Sequence, residues 1–196
     1  GNSAAGPAAE SVRKDSWPQK NKSLGKKLLI TGGGRCNVTN AESDDRKLLA
    51  KFKDDGKYLF SAFSQWSVRE TLDFFHMRAM ETKIEKEQRV FPLSNKSQSV
   101  WNVLVDYSTK NNVTVQTRAE VTGFEKDGNT ITSVTLKNKK VVRAKSFVLA
   151  TGGKSHPETG STGEGFGWLA KLGHTITEPT ASLVPVTSND AWIKRL

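Results

Sequence analysis

The sequence predicts an α/β domain with a small antiparallel β-meander inserted before its last strand. Three observations lead there. Apolar residues recur at helical spacing as far as residue 110, and at a period of two from residue 113 onward. A short continuous apolar run, "FVLAT" (147–151), then stands before a glycine-rich loop and a final helix. Earlier, three successive glycines, Gly32, Gly33 and Gly34, close the apolar run in "LLITGGGRCNVTN".

The bulk numbers set the bounds. A chain of 196 residues suits one domain, or one and a fragment. Apolar residues make up 35%, below the roughly 45–50% of globular chains, yet the many short Val, Leu and Ile runs still permit a core. No apolar run approaches the roughly 20 residues that span a bilayer. The first twenty residues lack the apolar stretch of a secretion signal. One cysteine forms neither an internal disulfide nor a cysteine-based zinc site, so the expected setting is reducing and cytoplasmic. Asn21, Asn37 and Asn112 head N-x-[ST] triplets, read here as chance matches. The net charge is +10. The basic residues are spread as short pairs (Lys26-Lys27, Lys139-Lys140, Lys194-Arg195), without a zinc-finger spacing or an RNP-type aromatic motif. They read as a solvated basic surface, with nucleic-acid binding the lesser reading.

Taken in order, residues 1–23 are weakly patterned, and 24–31 lead into the glycines. The charged stretch 41–57 reads as a short helix between exposed loops. Ser67, with Glu70 three residues on, forms a capping box ahead of a helix carrying Val68, Leu72 and Phe75 on one face. "RVFPLS" (89–94) is a short apolar stretch ended by Pro92. A second amphipathic helix runs over about 97–110, with Val100, Val103, Leu104 and Tyr107 at helical spacing. Strands are expected at 113–117, 119–127, 130–136 and 140–144, with hairpin turns at Asp127-Gly128-Asn129 and Asn138-Lys139. The meander is therefore placed at 113–144. "FVLAT" reads as a strand buried on both faces. "FGWLAKLGHT" (166–175) is a helix with Gly173 just past its end. The tail, with Pro179 and Pro185, is loop-like. This order is that of an α/β nucleotide-binding domain.

The two glycine-rich turns carry the chemistry. Three successive glycines allow positive φ and can aim backbone N–H groups at one point, a concavity suited to anions. Arg35 adds a planar cation, and Asn37 a group that both donates and accepts. The alternative is a tight turn without a ligand. In the second turn, Thr151, Gly152 and Gly153 end the apolar strand, where open α/β sheets bind ligands. "GGKS" (152–155) looks like the tail of a phosphate-binding P-loop. That reading fails, because position 148 is Val where the motif needs glycine, and His156-Pro157 oppose the helix that should follow. "GSTGEG" then precedes a helix whose N-terminus could face an anion; the alternative is a flexible loop. "GNSAAG" half-matches G-x-G-x-x-G, with Gly1 and Gly6 in place and Ser3 at the second glycine.

On "GKKLLITGGGRCNVTN", "RVFPLSNKS" and "ATGGKSHPETGSTGEGF…AKLGHTI…SLVP" the chain resembles the NAD(P)/FAD-dependent oxidoreductase flavoproteins that include aminoacetone oxidase, over about residues 20–193. The resemblance implies a truncated FAD/NAD(P)-binding, Rossmann-like domain filling residues 1–196, with the start of a further inserted domain at 179–196. It implies FAD held by Gly32, Gly33, Gly34, Arg35, Cys36 and Asn37 on the isoalloxazine and pyrophosphate side, and by Gly1 and Gly6 at the fingerprint. Val121 would hold the adenine through its backbone, Thr151, Gly152 and Gly153 would approach the FAD backbone, and Ser161 and Thr162 would line the entrance to the flavin. NAD(P)H is implied as a reductant, with a small organic molecule as substrate.

The departures also predict. Such proteins run to roughly twice this length. Their second strand ends in a glutamate that binds the ribose, whereas Gln19 stands at that place and "DSWP" lacks the apolar run of a strand. This chain is therefore expected to bind FAD weakly or not at all and to expose apolar surface that promotes self-association. A non-catalytic remnant of a flavoenzyme is the alternative reading. The cofactor would carry the redox step, so no side-chain nucleophile is needed and G-x-S-x-G is missing. His76 reads as a partly exposed helical residue, and His156 as a loop residue that could reach flavin or substrate. Cys36 is open to two readings, a thiolate favoured by Arg35 or a packed, inert thiol. Trp66, Trp101 and Trp168 read as core or interface residues, and Trp192 as part of an interface.

Overall fold

The computed structural model describes residues 15–111 and 113–180. Gly1, Gly6, Asn112, Pro185, Trp192 and most of segment 179–196 lie outside the described residues. The element order is β1 (Ser16–Pro18), α1 (Lys26–Ile30), β2 (Thr39–Asn40), α2 (Asp45–Ala50), α3 (Phe60–Phe63), α4 (Val68–His76), β3 (Thr82–Ile84), β4 (Arg89–Pro92), α5 (Ser97–Lys110), β5 (Thr114–Gln116), β6 (Val121–Asp127), β7 (Thr130–Leu136), β8 (Val141–Arg143) and α6 (Glu164–Lys171).

The core forms where the two amphipathic helices meet. Phe74 and Phe75 of α4 pack with Val100, Leu104 and Tyr107 of α5, together with Cys36 and Met80. The Phe74 ring meets Phe75 and Tyr107 edge-on at 5.1 and 5.0 Å, the geometry that ring quadrupoles prefer. Arg78 lies 4.0 Å over Phe74 and donates to its carbonyl at 2.8 Å. The capping box at Ser67 forms as expected, with Glu70 reaching back to the Ser67 N–H at 2.9 Å. Asp44 caps α2 by accepting from the N–H groups of Arg46 and Lys47.

The described residues also form three small sheets. In the order β2-β4-β3, β4 is central, and its Val90, Phe91 and Pro92 are buried. Burying Val90 and Phe91 contributes about 1.5–3 kcal/mol each. The meander β6-β7-β8 is antiparallel, with Asp127 opposite Thr130 across the Gly128-Asn129 turn. It comprises 121–143, a correction to the expected 113–144. The first expected strand, β5, instead pairs in parallel with β1, Trp17 opposite Val115. Trp17 and Val115 share a small cavity with Leu104 and Ser108 of α5, so this pair covers α5. A strand thus does exist at "SWP". It is made by pairing with a segment nearly a hundred residues away, which no local apolar run announces.

A second correction concerns "FVLAT". It is not a strand among the described residues, and Val148 and Leu149 are 72% and 45% exposed. A continuous apolar run becomes a buried strand only between neighbouring strands, and none of the described strands runs beside it. The last helix ends as predicted. Gly173 donates to Ala170 O and His174 to Leu169 O, the paired bonds of a Schellman close, with Gly173 at φ 94°.

Candidate functional site

The first glycine turn grows out of α1. Gly32 and Gly33 are left-handed (φ 57° and 63°), and Gly34 has φ 82°. The turn closes when Cys36 N–H donates to Thr31 O at 2.9 Å. It is pinned to β4 from the other side, because Asn37 Oδ1 accepts the Val90 N–H at 3.2 Å and Val38 donates to Val90 O at 2.8 Å. A Cβ on Gly32 would sit 3.0 Å from Asn37 N and 3.3 Å from Phe91 Cε1, so contact as well as φ requires glycine there. At Gly33 a Cβ would meet nothing within 4 Å, and the backbone faces open space.

The side chains of this turn divide. Cys36 packs in the core, where burial pushes its thiol up against the opposing pull of a hydrogen bond with Thr31. Of its two readings, the packed thiol describes the geometry. Arg35 lies 4.0 Å over the Phe91 ring and donates to both oxygens of Glu85 at 2.9 and 3.1 Å. Lys83 lies 3.1 Å from Glu85 Oε1. Lys83, then Arg35, hold the Glu85 carboxyl below the usual carboxylate range against an opposing desolvation effect. The cation expected for a ligand is therefore already paired. Glu85 joins the site although no sequence motif marks it, and Phe91 joins it from within "RVFPLSNKS".

The second turn begins at Thr151. Thr151 and Gly152 are exposed, and a Cβ on Gly153 would meet nothing within 4 Å. Ser161 is buried beside Gly152, and Thr162 is exposed. Thr151 Oγ1 comes so close to Gly165 at the start of α6 that a Cβ there would lie 2.6 Å away. His156 pairs with Glu158 at 2.8 Å, and Glu158 is held below its usual range by its own backbone N–H and then by His156. His76 is exposed on α4 and bonds Thr82.

One segment, 19–27, ties the candidate regions together. Gln19 donates to Gln116 O at 2.8 Å and accepts from Ala119 N–H at 2.9 Å, while Asn21 O accepts from Arg118 N–H at 3.1 Å. Val121 follows directly and enters β6. Asn21 Nδ2 donates to Thr159 O at 2.7 Å, and Lys20 pairs with Glu164. Lys27 donates to Ser155 O at 2.9 Å and Ser161 Oγ at 3.4 Å. Lys27 belongs to α1, which ends in the Gly32 turn. No hydrogen bond joins Gly32–Asn37 directly to Thr151–Gly153 among the described residues; Lys27 is the link. The side-chain pairings of Lys20, Asn21 and Lys27 carry no sequence signal because their partners lie more than a hundred residues away. Among the described residues no group of three or more His, Cys, Asp or Glu could hold a metal. Nor is any helix of the described residues long and apolar enough to cross a membrane.

The family model described as the HI0933-like protein Rossmann domain matches residues 1–191. The chain belongs to this family. Its Rossmann-type α/β class, expected from the sequence, follows. The chain is 29% identical over 190 residues to the ribosomal RNA dihydrouridine synthase of Escherichia coli, covering 96% of this chain and 46% of that one. It is 29% identical over 168 residues to the 3-dehydro-bile acid delta(4,6)-reductase of Clostridium scindens, covering 85% and 39%. The chain thus spans less than half the length of these relatives. Solved structures with some likeness include glycine oxidase from Bacillus cereus (TM-score 0.43, 15% identity, 77% of this chain and 53% of that one) and L-proline dehydrogenase from P. horikoshii (TM-score 0.48, 11% identity, 91% and 54%).

Proposed function

We propose that this chain is the FAD-binding part, in the N-terminal half, of a flavin-dependent oxidoreductase of the GGGRCN, aminoacetone oxidase-like group. The observation that carries the reading is the segment Gln19–Lys27, which bonds the strand leading to Val121, bonds the second glycine loop, and runs into the first glycine turn. The residues present fit a flat dinucleotide. Gly33 and Gly153 each leave open the space a side chain would fill, so a ring can lie against bare backbone. Gly32, Gly34 and Asn37 shape the first turn; Arg35 is held at its rim by Glu85; Thr151, Gly152, Ser161 and Thr162 form the second.

When bound, the flavin supplies hydride transfer between a nicotinamide or small organic substrate and its N5. The chain's own groups bind and orient. Lys27 fixes the second loop through Ser155 O and Ser161 Oγ, and Phe91 holds Gly32 in place. Gln19 stands where a ribose partner belongs and can donate as well as accept. Cys36 acts only as packing. Relatives named as a reductase and as a dihydrouridine synthase support reductive chemistry; a cytoplasmic setting accords with the lone, unpaired thiol. The boundaries proposed are one FAD-binding unit over 1–196, with the inserted meander at 121–143 and a further domain beginning at 179–196.

The test is to titrate FAD with excess chain, following flavin fluorescence, and then add NADH or NADPH anaerobically. Saturable 1:1 binding with bleaching by reduced nicotinamide supports the proposal. Binding without bleaching by either reduced nicotinamide favours the non-catalytic reading, for which the neutral Gln19 argues. RNA affinity with a steep salt dependence, and no flavin binding, would replace both.

A further inference from the structure

Glu85 stands at the end of β3, on neither glycine turn, yet two cationic groups converge on it. Its two carboxylate oxygens receive the Arg35 guanidinium at 2.9 and 3.1 Å, and its Oε1 lies 3.1 Å from Lys83. The guanidinium lies over Phe91, whose Cε1 borders Gly32. Both bonds come from Nη1, so the carboxylate holds that end of the guanidinium by a charge-assisted contact while the Phe91 ring supports its plane. Without Glu85 the guanidinium would lose the carboxylate that holds it, and the positive charges of Arg35 and Lys83 would go uncancelled. With it, the three groups sum to a single positive charge, and Arg35 stays on the ring that supports Gly32.

We propose that Glu85 is a positioning residue that locks Arg35 against Phe91 and thereby sets the electrostatic potential felt by a flavin bound on the Gly32–Asn37 turn. This rests on the FAD reading above. Positive charge near an isoalloxazine stabilises added electron density on the ring. Sulfite, which adds to flavin N5 and leaves negative charge on the ring, therefore reports this potential without substrate or turnover.

The experiment measures sulfite affinity of FAD held under excess chain, in the unsubstituted protein and in Glu85→Gln, Glu85→Asp and Lys83→Met, with thermal melts as a check on folding. Glu85→Gln removes the negative charge and is expected to tighten sulfite binding on the order of tenfold, one charge acting through protein dielectric. Glu85→Asp keeps the charge and should return the affinity to near the starting value. Lys83→Met removes a positive charge and should weaken sulfite binding, which keeps the proposal testable if Glu85→Gln does not fold. Flavin retained with the same sulfite affinity in all four proteins overturns the proposal alone. So does a change shared equally by Glu85→Gln and Glu85→Asp, which would mark a purely structural role. No flavin bound by the unsubstituted chain overturns the FAD reading and this proposal with it.

Discussion

Arg35 and Cys36 are adjacent, but the left-handed backbone at Cys36 (φ 59°) sends one side chain onto Phe91 and the other into the Phe74–Tyr107 core. A raised thiol pKa leaves less thiolate at neutral pH, and the thiolate is the form that reacts. Cys36 should therefore resist iodoacetamide in the folded protein at pH 8 and react faster once urea unfolds the chain, because unfolding removes the burial that raises its pKa. Equal rates before and after unfolding would contradict the packed thiol. At Gln19 both backbone groups are already bonded, so substitution changes the side chain alone. If this residue faces the ribose, Gln19→Glu would replace a neutral hydrogen bond by a charge-assisted one, a gain of about 1 kcal/mol, or about fivefold tighter FAD binding. Unchanged or weaker binding would remove Gln19 from the site. The glycines and Arg35 are marked in the sequence by residue type, and Gln19 by its place in the resemblance. Glu85, Lys20 and Lys27 are not, since a charged side chain reveals its partner only when folding brings distant segments together.

At the scale of elements, α4 depends on its first turn. Ser67 accepts from Arg69 N–H, and Glu70 returns to the Ser67 N–H, so two otherwise unpaired donors are satisfied together. Ser67→Ala is expected to cost about 1 kcal/mol in urea unfolding. The bonds from Ser67 side chain and backbone lower the Glu70 carboxyl below its usual range. A group whose folded pKa is depressed lends stability above its unfolded value, about 4.3, and loses it as pH falls through the folded value. The stability gap between the parent and Glu70→Gln should accordingly be full at pH 7 and close in acid; a gap independent of pH would refute the box. Such helices were readable because cap and period are local signals. β1 was not, since three residues with one tryptophan become a strand only through β5. "FVLAT" erred in the opposite direction: its apolar run reads as interior, while the described strands leave it without a neighbour.

For the whole molecule, exposed apolar side chains are the prominent feature. Val148, Leu149, Ile84, Met77 and Phe60 all face solvent. Of these, Val148 and Leu149 are adjacent in the chain, and exposed apolar surface of this kind favours association. Sedimentation at rising concentration should show mass growing beyond the monomer, even though a net charge of +10 opposes contact. A monomer at every concentration would refute this. The family class was legible as a whole because its three motifs fall in order along the chain, whereas the segment that joins them, 19–27, became visible only in three dimensions. The claim on which the rest depends is that bare backbone at the two glycine turns receives FAD. Gly153 tests it most directly, because its φ is not positive and its surroundings are open, so a side chain can be added with little strain. FAD should be titrated against the unsubstituted chain, Gly153→Val, and, as a control, Thr130→Val at the exposed hairpin end of the meander. The account predicts weak but saturable 1:1 binding by the parent and the control, and a loss of about tenfold or more (about 1.4 kcal/mol) in Gly153→Val. No saturable binding by the parent, or equal binding by Gly153→Val, would contradict it.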